Sequence, residues 1–189
     1  TASYAVSIVN LAFQGHISDE ALASSSIAMF FSNVTGTSIL YGLNSALDTL
    51  GSQHFGSGSQ HQVGLIILRA FLVASIALCG IVVLWYFSAI PLSFLLQDKN
   101  QVIVDMAQQY IRITIWGLPG VALNDVCRRY LEIQQITFPA LVINVIGLIC
   151  AITGNYLLTI HRNYGFLGSA YNNIIVQYAM LLSMLLYLY

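Results

Sequence analysis

The 189 residues are 58% hydrophobic and 7% charged, with six Lys and Arg against seven Asp and Glu, and their mean hydropathy is +0.79. A soluble domain carries about 25% charged residues, so this chain cannot solvate a globular surface, and the same apolar excess excludes disorder. A net charge of −1 gives no electrostatic footprint for a nucleic-acid partner; what remains is an all-α polytopic membrane protein whose partner is the lipid bilayer.

Apolar runs separated by polar or glycine-rich breaks place helical spans at residues 2–13, 22–47, 63–90, 102–130, 138–160 and 167–189. The first, about 12 residues or roughly 18 Å of helix, is too short for a hydrocarbon core of about 30 Å and reads as the end of a truncated span. In the second, Ala28, Ser32 and Gly36 lie four apart, as do Ser38, Gly42 and Ala46. Small residues at that spacing admit a neighbouring helix, either as bundle packing or as a seam that separates during a conformational change. Asn33 and Thr35 interrupt the same span and need interior partners. Asn33-Val34-Thr35 also matches a glycosylation sequon, which its mid-membrane position disqualifies.

A glycine-rich segment, residues 51–64, joins the second span to the third, where Arg69 is expected to snorkel. Arg69, Arg128 and Arg129 fall on one side of the membrane against Lys99 and Arg162 on the other, a bias that puts residues 51–64 in the cytoplasm. Asp19, Glu20, Asp48 and Asp98 are expected at helix ends, as caps or dipole partners. The fourth span contains Pro119, an expected kink, and two acid–base pairs, Asp105 with Arg112, where an ion pair or hydrogen-bonded bridge is one reading, and Asp125 with Arg129; structural roles are the expectation for both. The last span ends in Leu-Leu-Tyr-Leu-Tyr without a polar flank, and the chain opens without Met or a basic leader; both ends are expected to be cuts in something longer.

No enzyme is expected. His16, His54, His61 and His161 lack a metal-binding spacing, Ser24-Ser25-Ser26 has no positioned base, and no metal or other cofactor is implied. Cys79, Cys127 and Cys150 read as small core residues. No carboxylate lies at the centre of a span, so a proton relay cannot be assembled from this chain alone.

Gly15-His16-Ile17-Ser18, Ala21-Leu22-Ala23 and Asn33-Val34-Thr35-Gly36 resemble the multidrug and toxic compound extrusion (MATE) transporters of the MOP superfamily. The segment from Gly42-Leu43-Asn44-Ser45-Ala46-Leu47-Asp48-Thr49-Leu50 through Gln53 to Gly56 and Gly58 is similar to that family's signature between its second and third spans. Arg129-Tyr130-Leu131-Glu132-Ile133-Gln134-Gln135 with Pro139 is similar to the turn between spans four and five, and Gly165, Gly168-Ser169-Ala170 and Asn173 to the start of span six. The form is closer to the eukaryotic branch. The resemblance implies a six-helix N-terminal lobe, its first helix truncated, of a twelve-helix transporter whose C-terminal lobe this chain lacks.

It also implies secondary active antiport: export of organic cations, xenobiotics or metabolites in exchange for protons or sodium by alternating access, from a plasma or organelle membrane, with the second lobe or other membrane subunits as partners. The alternative is a non-transporting structural subunit that retains the lobe; a channel is disfavoured, since no filter motif or ring of charges is present. The expected substrate-cleft residues are Asn10, Asn33, Thr35 and Asn155, and the expected structural or gating motif is Asp48, Thr49, Gln53, Gly56 and Gly58. Bacterial members with an ion site in this lobe resemble the chain incompletely. Where they carry an Asp in span one this chain has Asn10, and where they carry two Asn in span five it has Ala151 and Asn155. The resemblance therefore implies a coupling site in the other lobe.

Overall fold

The computed structural model describes residues 2–96, 101–161 and 164–188; the expectations resting on Asp98, Lys99 and Arg162 lie outside these residues. The described chain is helical throughout, with no strand. α1 (Ala2–Gly15) ends at a short turn, and α2 (Asp19–Ser32) begins with Ser18 accepting the backbone N–H of Ala21 and Asp19 and Glu20 in its first turn. The acids face the positive end of the helix dipole, as expected of them. α2 does not stop at the polar interruption. It passes through a π-helical turn, Asn33–Thr37, directly into α3 (Ser38–Gly56), one helical run of residues 19–56.

α4 (Gln60–Tyr86) and the short α5 (Ala89–Leu96) follow, then α6 (Gln101–Thr114), a 3₁₀ turn at Ile115–Gly117, and α7 (Leu118–Ile133). The irregularity expected at Pro119 is that turn, because Pro119 occupies the first turn of α7, where its missing N–H is no loss. α8 (Phe138–Asn155) runs into a second π turn, Tyr156–His161, and α9 (Phe166–Leu188) closes the described chain. Among the described residues, three helices are long and apolar enough to cross a membrane by length and composition: residues 61–86, 138–159 and 166–188.

The main core packs α2, α4, α6, α7 and α9 around Trp85, Tyr110, Leu92 and Ile111. A second cluster joins α1, α7, α8 and α9 around Ile143, Val176 and Met184, with Cys127 and Cys150 against it. Cys79 departs from its expected core role: it is exposed on α4, the most peripheral helix. Ser24 and Ser25 are fully buried within α2 because their hydroxyls donate back to the Glu20 and Ala21 carbonyls at 2.7 and 2.8 Å.

Two stripes of small residues have different fates. Ala28 and Ser32 are buried, and Gly36 lies so close against the Trp85 indole that a Cβ there would overlap the ring. Ser38, Gly42 and Ala46 are exposed, and a Cβ on Gly42 would meet nothing within 4 Å.

Three further expectations are corrected. Residues 51–56 are helical, and Gly51 is needed for close approach, since a Cβ there would strike the Ile133 side chain. Gly58 alone in that segment takes a left-handed turn, with φ +77°. Asp48 lies inside α3, eight residues before its end, and caps nothing. Asp105 and Arg112 form no ion pair: seven residues set them about 10 Å apart along the axis. Arg112 instead sits over the Tyr86 ring at 4.9 Å and donates to the Tyr86 carbonyl at 3.4 Å, at the end of α4.

Candidate functional site

The four expected cleft residues separate into three environments. Asn10 on α1 and Asn155 at the end of α8 meet in the interior, where Asn155 Nδ2 donates to Asn10 Oδ1 at 2.6 Å and to the Ala151 carbonyl at 2.9 Å. Asn155 is 0% exposed and Asn10 1%. One turn along α1, Gln14 donates to Ser169 on α9, while Asn172 donates to the same Ala151 carbonyl at 3.0 Å. This neutral cluster pins three helices together. Its geometry depends on Gly154, where a Cβ would collide with Asn172 Oδ1. The side-chain oxygens of Gln14, Asn155, Asn172 and Thr159 are buried and receive no donor among the described residues. No carboxylate is among the side chains of this cluster, and no group of three or more His, Cys, Asp or Glu placed to hold a metal is present among the described residues. Amide and hydroxyl oxygens can accept hydrogen bonds, but none can release or take up a proton near neutral pH.

Asn33 lies elsewhere, and not in the interior expected of it: it is exposed, on the wall of a partly open cavity of about 100 Å³ between α1, α2, α3, α4, α6, α7 and α9. Ser32, Tyr41, Trp85, Tyr110, Asn173 and Gln177 share that wall. It is therefore aromatic and amide-lined, with no charged side chain. Thr35 is two residues on and turned away: it accepts from Trp85 Nε1 at 3.1 Å and donates to the Phe31 carbonyl at 2.7 Å. Its work is to hold the indole against Gly36. The helix itself separates the pair, because residues two apart project to nearly opposite sides of it. Both π turns abut a candidate residue, Asn33 within the first and Asn155 just before the second.

The signature segment supplies a third constellation. Arg129 on α7 donates to Asp125 Oδ2 at 3.0 Å, to Asp48 on α3, and to the Tyr41 carbonyl at 3.4 Å, while Asn44 donates to Asp125 Oδ2 at 2.9 Å. Asp125 and Arg129 are buried, at 5% and 8% exposure. The pairing expected within α7 is thus the centre of a clamp between α7 and α3. Thr49, Gln53 and Gly56 are at the helix surface and take no part in it. Sequence spacing could find Asp125 with Arg129, four apart on one helix. Nothing in it linked Arg129 to Asp48 or Asn44, which lie 81 residues or more away. Gln14, Asn172 and Gln177 were likewise missed; a polar residue in an apolar run was the available signal.

The family model described as MatE matches residues 2–157. Multidrug and toxin extrusion protein 2 of Pongo abelii is 38% identical over 186 residues, covering 98% of this chain and 32% of that protein. Protein DETOXIFICATION 52 of Arabidopsis thaliana is 35% identical over 165 residues, covering 87% of this chain and 32% of that protein. The crystal structure of the eukaryotic MATE transporter AtDTX14 superposes with a TM-score of 0.93 at 24% identity, over 99% of this chain and 41% of that one. An inward-facing MATE family transporter of the MOP superfamily gives a TM-score of 0.85 at 17% identity. The chain spans about a third of the length of the curated relatives it matches.

Proposed function

Because the chain belongs to the MatE family, we propose that it serves as one six-span lobe, the N-terminal one, of a membrane antiporter that exports organic cations or related metabolites. The observation that carries this reading is the cavity lined by Asn33, Trp85, Tyr110 and Gln177, with no charged side chain in its wall. Aromatic faces and amide dipoles accept a cationic or neutral organic molecule without the desolvation cost of a buried carboxylate. The exposed Ser38 and Gly42 form the close-packing seam against the second lobe in this reading.

In this reading the lobe moves as a unit during alternating access. The Asn10–Asn155 cluster ties α1 to α8 and α9, and the Arg129 clamp ties α3 to α7. The Asn10–Asn155 cluster holds no titrating group and the carboxylates of the clamp are committed to Arg129, so in this reading proton or sodium coupling resides in the other lobe.

The test is efflux of a fluorescent organic cation from vesicles carrying the full-length protein under an imposed pH gradient. Asn33→Leu and Gln177→Leu are expected to lower efflux at least several-fold with folding intact. Gradient-independent accumulation, or wild-type efflux in both variants, overturns the reading.

A further inference from the structure

Arg69 stands apart from the lobe's other described cations. Arg112 sits on Tyr86, Arg128 pairs with Glu132 at 3.2 Å, and Arg129 is held by Asp125 and Asp48. Arg69 is exposed on α4 and has no hydrogen-bond or ion-pair partner among the described residues. It also lies within the apolar part of its helix. Val63 opens that stretch, and six residues at about 1.5 Å each put the Arg69 backbone roughly 9 Å inside it. A charge at that depth requires a counter-charge or an extended side chain reaching the interface.

The space beside it has the shape and chemistry of a lipid site. A groove of about 320 Å³ runs between α3 and α4, walled by Leu43, Leu47, Leu50, Ile66 and Val73, with Arg69 on its rim. Asn44, the one other polar residue of the groove, already donates to Asp125. Asp125 and Asp48 are both engaged by Arg129, so α3 and α7 leave no free carboxylate to neutralise Arg69.

We infer that the α3–α4 groove holds an anionic phospholipid from the leaflet bordering the turn at residues 57–59. One acyl chain lies on Leu43, Leu47, Leu50 and Val73, and the headgroup phosphate pairs with the Arg69 guanidinium. The charge complementarity is direct: an unpaired guanidinium beside an apolar slot matches a lipid with an ionised phosphate and no compensating ammonium. A zwitterionic lipid fills the slot equally well, but its choline competes for the phosphate. Selectivity therefore resides in Arg69 and capacity in the groove.

The protein is reconstituted in nanodiscs of equal phosphatidylglycerol and phosphatidylcholine, and the lipids retained after detergent release are measured by native mass spectrometry. One phosphate–arginine contact near a membrane surface contributes about 1 kcal/mol, or roughly a five-fold enrichment of phosphatidylglycerol. Arg69→Gln is expected to bring the ratio to about one while total retained lipid holds, and Arg69→Lys to keep most of the enrichment. Ala46→Leu, which narrows the slot, lowers retention of both lipids. Arg112→Gln, on a cation already occupied by Tyr86, leaves the ratio at the wild-type value. No enrichment in the wild-type protein, undiminished enrichment in Arg69→Gln, or an equal loss in Arg112→Gln overturns the assignment; helicity by far-UV circular dichroism confirms that each variant is folded.

Discussion

Replacing Arg129 by Gln strands a charge. Arg129 Nε donates to Asp125 Oδ2 at 3.0 Å, its guanidinium also engages Asp48, and Asp125 is only 5% exposed. In Arg129→Gln the Asp125 carboxylate keeps the Asn44 amide and loses its counter-ion. Breaking a buried pair from one side costs about 3–5 kcal/mol, because the remaining charge is still desolvated. Asp48 adds little, about 1 kcal/mol at most, since its side chain is 50% exposed and water replaces the lost contact. The total is comparable with the whole stability of many domains. Neutralising the partner as well, in Asp125→Asn with Arg129→Gln, removes the stranded charge and leaves Asn44 an acceptor; this double variant is expected to recover about 2 kcal/mol or more. The assay is unfolding by SDS in mixed micelles, followed by far-UV circular dichroism, for wild type, both single variants and the double. A loss below about 1 kcal/mol in Arg129→Gln, or a double variant no more stable than the single, would refute the reasoning.

Gly36→Ala puts a Cβ into the Trp85 ring and is expected to cost about 1–3 kcal/mol with a shift in tryptophan emission, whereas Gly42→Ala, which meets nothing within 4 Å, leaves both unchanged. Thr35→Val keeps the volume but removes the acceptor of Trp85 Nε1, and thermal melts in detergent are expected to show a loss of about 1 kcal/mol. Asn155→Ala leaves Asn10 Oδ1 without its donor and costs about 1–3 kcal/mol. In the full-length transporter its pH–efflux profile is expected to stay in place even if the rate falls, and a large displacement of that profile, or of the Asn10→Ala profile, would put the coupling site in this lobe.

The helical class was legible at once, because apolar runs of about 20 residues in a chain with 7% charge match helical spans rather than the short alternating strands of a barrel. The signature around Asp48 and the Asp125–Arg129 spacing were legible too, since both are local in the chain. What spacing could not convey was direction. A polar residue in an apolar run needs a partner, but the partner's identity depends on which helices meet, and that is a long-range matter. Asn33 and Thr35 differ by two positions, and one lines the cavity while the other carries the Trp85 indole. Hydropathy does not say which of these nearly opposite faces meets Trp85. Asp48 read as a cap because it stood near a glycine-rich break; helix α3 runs on to Gly56, eight residues past it, and the contact with Arg129 turns the residue into half of an interhelical clamp. Composition and hydropathy thus determined that the chain folds as a helical membrane bundle, since burying apolar area needs no particular partner. Tertiary packing alone decided which amides face each other, which face the cavity and which arginine is left unpaired, because hydrogen bonds and ion pairs act over about 3 Å and depend on the helix that arrives opposite.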